Sequence, residues 1–252
     1  MERHIALLID LLGFSDAVLT SNTQQTDSLL KFVRRIATLQ GRFNLDGEAP
    51  PDGGLIFRSI RPEVTTFSDL LFLSFPLPEV SAEVPPVLTQ IIADMWLQEV
   101  ERWTGVIAVE ALKIGMLIRG GLALGALYHD QTESVTFGPA LVQAHELESR
   151  DAVYPRVLLS RELRDKLSSD PKQRLLRDKD GLLHLDYFKP MFDHAIPKGP
   201  RFLDDARAWL NINVGKIEAN SAALSDRGRL RQASKWDWFK SELVDAAKRR
   251  GI

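Results

Sequence analysis

Two aspartates in this chain stand where metal and phosphate chemistry would need them. Asp10 closes the apolar run Ile5-Ala6-Leu7-Leu8-Ile9, and Leu11-Leu12-Gly13-Phe14-Ser15-Asp16 follows it. Such a run reads as a buried strand, and a helical pattern opens at Ser15. An acid delivered to the C-terminal end of a strand can bind a cation. The free N–H groups of the turn and of the helix start then face an anion. The same letters also describe a plain buried strand followed by an N-capped helix. Asp69 lies in Glu63-Val64-Thr65-Thr66-Phe67-Ser68-Asp69-Leu70-Leu71-Phe72-Leu73-Ser74-Phe75, where two β-type runs flank Ser68-Asp69. That pattern predicts a tight hairpin with an acid at its tip, and an ordinary turn residue is the alternative reading.

Other chemistries find less support. The chain has no cysteine, which excludes disulfides and thiolate metal sites and is compatible with a reducing cytosol. Its five histidines, at positions 4, 129, 145, 184 and 194, form no tight ligand pair of the HExxH kind. The formal net charge of -2 carries no basic bias, so no nucleic-acid partner is expected. Glu2-Arg3-His4 leads into an apolar run too short for a signal peptide, and no uncharged apolar stretch is long enough to span a membrane. With 252 residues, 44% of them hydrophobic and 26% charged, the chain can form one sizeable core, or one core and an appendage.

The elements that must position the two acids follow in order. Residues 4–10 read as a strand and Ser15 to about Phe43 as helix, with a polar interruption at 21–23. Residues 44–54 read as a loop. After the hairpin, 86–115 has the pattern of a long helix, with Gly105 a candidate break. Met116 to His129 reads as a buried strand whose small residues suit close packing or a close ligand. Asp130–Thr136 reads as a turn region, 140–149 as a helix introduced by Gly138-Pro139, 157–160 as a strand and 161–167 as a short helix. Leu175 to Phe188 reads as a hairpin turning at Asp180-Gly181. The alternation predicts an α/β sandwich on one principal sheet. After Pro200 the composition changes. Residues 201–224 are helical in pattern, 225–234 polar and basic, and Trp236 to Arg250 form a basic amphipathic helix that covers the sheet or meets a second subunit.

The order strand, Asp10, glycine turn, helix, hairpin with Asp69, long helix, Arg119-Gly120-Gly121 strand and Gly138-led helix resembles the catalytic domain of class III nucleotidyl cyclases. Asp10-Leu11-Leu12-Gly13-Phe14-Ser15 looks like that family's Asp-x-x-Gly-Phe-Thr segment, and Phe67-Ser68-Asp69 like its Gly-Asp hairpin. Arg119-Gly120-Gly121-Leu122-Ala123-Leu124-Gly125 is similar to its Arg-x-Gly-x-x-x-Gly strand, and Gly138 to Ser160 to the arm, helix and strand after it. The resemblance covers about residues 4–190. It implies a ferredoxin-type sheet with flanking helices, a catalytic domain over 1–195 and a C-terminal helical extension over 196–252. It further implies two divalent ions (Mn²⁺ or Mg²⁺) held by Asp10 and Asp69 with the Leu11 carbonyl as a further ligand. Leu12, Gly13, Phe14 and Ser15 would wrap the substrate's phosphates, and Thr65 and Arg119 would also contact substrate.

Four positions depart from the purine cyclases of that family. Thr65 stands where they carry a base-reading Lys or Glu, and Val135 or Thr136 where the second base-reading residue falls. Val142 and Glu146 replace the Asn and Arg that serve ribose and transition-state phosphate. With these departures the chain resembles the pyrimidine cyclases of the bacterial Pycsar antiphage system. That resemblance implies a cytoplasmic homodimer converting UTP to cyclic UMP, which a separate effector protein reads. Alternatives are a cytidylate cyclase, a purine cyclase with an unusual pocket, and a catalytically silent nucleotide-binding module. Arg119, Arg150, Arg156 and Lys179 are candidates for the missing cation. Arg58 and Arg61 are candidates for base or phosphate contact, and surface solvation is the alternative for each. His145, beside these residues in sequence, reads as a packed histidine or a site residue.

Overall fold

A computed structural model describes residues 1–15, 18, 23–42, 62–77, 86–130, 132–133, 135–167, 175–195, 204, 206–208, 211 and 226–251. The first strand, β1 (Glu2–Leu12), is the axis of an eight-stranded sheet. Its odd residues Ile5, Leu7, Ile9 and Leu11 enter one core, and its even residues Ala6 and Leu8 enter another on the opposite face. Burial on both sides is why the run reads as continuous rather than alternating apolar sequence.

The helix α1 (Thr23–Arg42) follows, then the hairpin β2 (Glu63–Phe67) and β3 (Leu70–Pro76), the long helix α2 (Pro86–Lys113) and β4 (Leu117–Asp130). The order across the sheet is β2-β3-β1-β4, all antiparallel. That is the split βαβ arrangement of a ferredoxin-type sheet, which hides one terminal strand between two later ones. A short strand, β5 (Val135–Phe137), folds back on the end of β4 where the sequence predicts only a turn region. Beyond β4 the sheet continues through β6 (Val157–Leu159), parallel to it, and then β8 (Leu183–Leu185) and β7 (Leu175–Arg177).

The helices divide unequally. Side chains of α1 and α2 share the larger core with α4 (Arg161–Lys166), α5 (Phe188–Ala195) and α6 (Asp226–Lys248). On the other face α3 (Pro139–Glu146) lies directly on β1 and β4 through Ala140 and Ala144. This mixed α/β architecture agrees with the sequence expectation. Three local readings change. The helix α2 runs straight through Gly105, where a Cβ would come within 2.6 Å of Pro190 on α5; small size, not a break, is what the position requires. The second hairpin ends before Phe188, which opens α5. The final helix begins at Asp226, so most of the polar, basic 225–234 stretch is its first turns. Trp236, Phe239 and Leu243 bury in the larger core. The loop at 44–54 and most of 201–224 lie outside the described residues, as do Arg58 and Arg61.

Candidate active site

Strand register brings the site together. Asp10 is opposite Leu70 on β3 and Arg119 on β4. The hairpin tip between β2 and β3 turns at Ser68 (φ 56) and Asp69, and the Leu11 N–H donates to the Asp69 carbonyl at 3.0 Å. Thus the two acids singled out in the sequence share one end of the sheet, with Asp69 half-buried and Asp10 only 8% exposed.

A buried carboxylate needs compensation. The Arg119 Nε donates to Asp10 Oδ2 at 2.7 Å, and its Nη1 reaches the Ala152 carbonyl at 3.4 Å. Its Nη2 stands 2.8 Å from Glu148 Oε1. Glu148 is a site residue the sequence reading does not single out. It lies in a π-helical turn, Leu147–Asp151, that continues α3, and it is 3% exposed. The Ala140, Ala144, Glu148 spacing of four put it on the sheet-facing stripe, and a glutamate on that stripe is the available signal. Burial raises the Glu148 pKa above the usual glutamate range; the Arg119 charge opposes this, while those of Asp10 and Asp69 add to it. The Glu148 Oε1 has no hydrogen bond in proper geometry, because the guanidinium approaches it as an ion-pair partner only.

Gly121 permits this packing. A Cβ there would fall 2.0 Å from the Ala144 carbonyl oxygen and 2.8 Å from Leu147, so a side chain would lift α3 and its turn off the strand. Gly13, after Asp10, takes φ 96 with open space around the missing Cβ, a conformation that costs an L-residue strain. Leu12 and Phe14 on either side of it pack against the larger core, and Ser15 is exposed. Leu12 and Phe14 therefore anchor the turn to the core.

The donor set fits a divalent cation of the magnesium type. Such ions commonly take one or two carboxylates and complete their shell with substrate phosphate oxygens and water. Asp10 and Asp69 supply two, on segments tied to each other by the Leu11–Asp69 bond. Among the described residues no group of three His, Cys, Asp or Glu side chains stands at metal-ligand spacing.

Thr65 lies on the same face, farther along the sheet. Its hydroxyl is 2.7 Å from His129 Nε2, and Ser74 Oγ is 2.7 Å from His129 Nδ1. Glu63 Oε2 is 3.3 Å from the same Nδ1. Burial holds the His129 pKa below the ordinary value, so the ring is neutral at pH 7, with one nitrogen donating and the other accepting. Thr65 is thus the outer member of a polar cluster instead of an isolated hydroxyl.

The candidate cations separate sharply. Arg156 is 1% exposed and bonded to Asp178 at 2.6 Å and to Asp180, which fixes the β7–β8 hairpin to the loop after the π-helical turn. It is a buried structural cation, contrary to the surface reading. Arg150 is exposed and pairs with Glu146, while Val142, 58% exposed, faces away from the sheet. Lys179 and His145 are both exposed, so His145 is not a packed histidine. A cation absent from the candidates, Lys235 of α6, is half-buried within the electrostatic reach of Asp10 and Arg119.

The chain matches no protein-family model and no curated protein. Among solved structures, that of the guanylyl cyclase Cya2 aligns over 73% of this chain and 91% of its own, with 11% identity and a TM-score of 0.38. At that score the likeness bears neither on the site nor on the substrate. No helix among the described residues is long and apolar enough to cross a membrane.

Proposed function

We propose that this chain is a metal-dependent nucleotidyl cyclase, and that its substrate is a pyrimidine nucleoside triphosphate, UTP before CTP. The observation that carries the reading is the meeting of Asp10 and Asp69 at one sheet end, joined by the 3.0 Å Leu11–Asp69 bond beside the Gly13 turn. In cyclisation the ribose 3′-oxygen attacks the α-phosphorus and pyrophosphate leaves. Bound divalent ions would activate that oxygen and neutralise the triphosphate. Asp10 and Asp69, with the Leu11 carbonyl, hold the ions in this reading, and the N–H groups of Leu12 to Ser15 receive the outer phosphates. Arg119 would compete with a bound cation for Asp10, while Glu148 and the Ala152 carbonyl also hold its guanidinium. The Thr65–His129–Ser74 cluster offers both donors and acceptors, which suits the mixed edge of a pyrimidine and does not require the long side chains of a purine reader.

The resemblance to Pycsar cyclases supports an antiphage signalling role in the cytoplasm, with a separate effector reading the product. A homodimer is part of the same reading. The β4–β5 arm exposes Tyr128, Val135 and Phe137, and Val142 is exposed on the adjoining α3, which is apolar surface suited to a second copy.

A second reading rests on one specific observation. Arg119 already neutralises Asp10, as it would in a silent module that binds nucleotide without metal. Incubating the purified protein with each of the four NTPs and Mn²⁺ separates the two. Cyclic UMP supports the first, and nucleotide binding without turnover supports the second. Turnover confined to ATP or GTP would remove the pyrimidine assignment.

A further inference from the structure

Besides the turn that continues α3, the helix α6 carries cations coupled to the site. Arg231, Lys235, Trp238 and Glu242 are spaced four, three and four residues apart, one stripe of that helix. The place of the stripe is fixed at Trp238. Its indole N–H donates to Asp178 at 2.8 Å, and its ring stacks on Tyr154 and meets His184 edge-on. Tyr154 belongs to the loop whose Ala152 carbonyl accepts from Arg119. One turn and two turns before Trp238, the same stripe carries Lys235 and Arg231. Lys235 is half-buried there, and its ammonium feels Asp10, Arg119 and Arg231. Among the described residues neither the Lys235 ammonium nor the Arg231 guanidinium has a hydrogen-bond or ion-pair partner, whereas Arg119 pairs with Asp10 and Glu148, and Arg156 with Asp178 and Asp180. A half-buried ammonium that is electrostatically coupled to two guanidinium groups, and has no ion-pair partner among the described residues, suits a multiply charged anion.

The geometry points to Lys235, seconded by Arg231, as the cation pair through which the C-terminal helix binds the polyphosphate of the substrate and of the leaving pyrophosphate. This rests on the nucleotide reading above and deepens it by giving α6 a direct part in the site. Burial, with Arg119 and Arg231, lowers the Lys235 pKa. A bound polyphosphate would relieve the repulsion among these cations.

Titration calorimetry of the full chain with inorganic tripolyphosphate, with and without Mg²⁺ at low ionic strength, tests this without requiring turnover. Lys235→Met keeps the aliphatic stem and is expected to weaken tripolyphosphate binding about tenfold. Lys235→Arg should retain binding, and the melting temperature should stay within a degree or two (about the effect of a surface change) in both. Arg231→Met, at an exposed position, should cause a smaller loss and gives a second reading should Lys235→Met fail to fold. Wild-type protein that binds no tripolyphosphate, or binding equal in Lys235→Met and Arg231→Met to that of wild type, would overturn the assignment. Lys235-dependent binding together with no cyclisation of any NTP would leave it standing while removing the cyclase reading.

Discussion

Arg119 meets three acceptors from three segments: Asp10 on its neighbouring strand, Glu148 in the π-helical turn and the Ala152 carbonyl beyond it. Asp10 and Glu148 are both nearly buried and share this one cation, so its removal leaves two carboxylates facing each other in a desolvated place. Arg119→Met is expected to destabilise the fold by about 3 kcal/mol. Glu148→Gln added to it should recover a substantial part, measured by urea unfolding. Glu148 by itself carries a pH signature. Its folded pKa is raised, chiefly by burial, so its contribution is fully present below the unfolded glutamate value of about 4.3 and is lost as pH rises through the folded value. Glu148→Gln should therefore stabilise the protein relative to wild type at neutral pH, with the advantage vanishing near pH 4, where both side chains are neutral. An advantage that grew on acidification would contradict the burial argument.

At the scale of elements, the site depends on how closely α3 approaches the sheet. The contact is set by Gly121 under Ala144 and Leu147, and a methyl group at Gly121 has no free volume to enter. Gly121→Ala is expected to cost about 2 kcal/mol and to displace the turn that carries Glu148. Amide exchange across 147–152 should then accelerate while exchange in β1 and β3 stays slow. Unchanged protection in the turn would mean that α3 is held by its other contacts. Much of this level was legible in the sequence. The run before Asp10, the Ser68-Asp69 tip and the Gly-rich strand place the acids because strand and hairpin signals are local. Glu148 was not, since its only signal was a single glutamate on an alanine stripe. Lys235 was not, because its relevance depends on where Trp238 docks, a contact 60 residues away from Asp178 in the chain. Arg156 read as surface because its carboxylate partners lie across a hairpin tip, also beyond local pattern.

At the scale of the whole molecule, three of the described histidine side chains are buried at different places: His4 on β1, His129 at the end of β4 and His184 on β8. Burial is the largest cause lowering each pKa. A depressed histidine contributes stability that is present above the unfolded value of about 6.5 and is lost as pH falls through the folded value. Urea stability should thus decline as pH is lowered from about 7 toward 5, with proton uptake on unfolding. Raised glutamates such as Glu63 and Glu148 oppose this only partly, because their shift is relieved in the same window from the other direction. A profile flat over that range would show that the histidines are open to solvent. The ferredoxin-type order of the first four strands was implied only by the family resemblance, the element pattern itself giving one principal sheet; β5 and α5 were not legible, being three and eight residues long and set by what they pack on.

The central claim is that Asp10 and Asp69 form one metal-dependent site for a pyrimidine nucleoside triphosphate. The most direct measurement is product formation from UTP, CTP, ATP and GTP with Mn²⁺, by wild type and by Asp10→Ala and Asp69→Ala variants of verified fold. The account predicts cyclic UMP as the main product, and its loss in both variants and on chelation of the metal. Full activity in either variant, or cyclisation of purines alone, would contradict it.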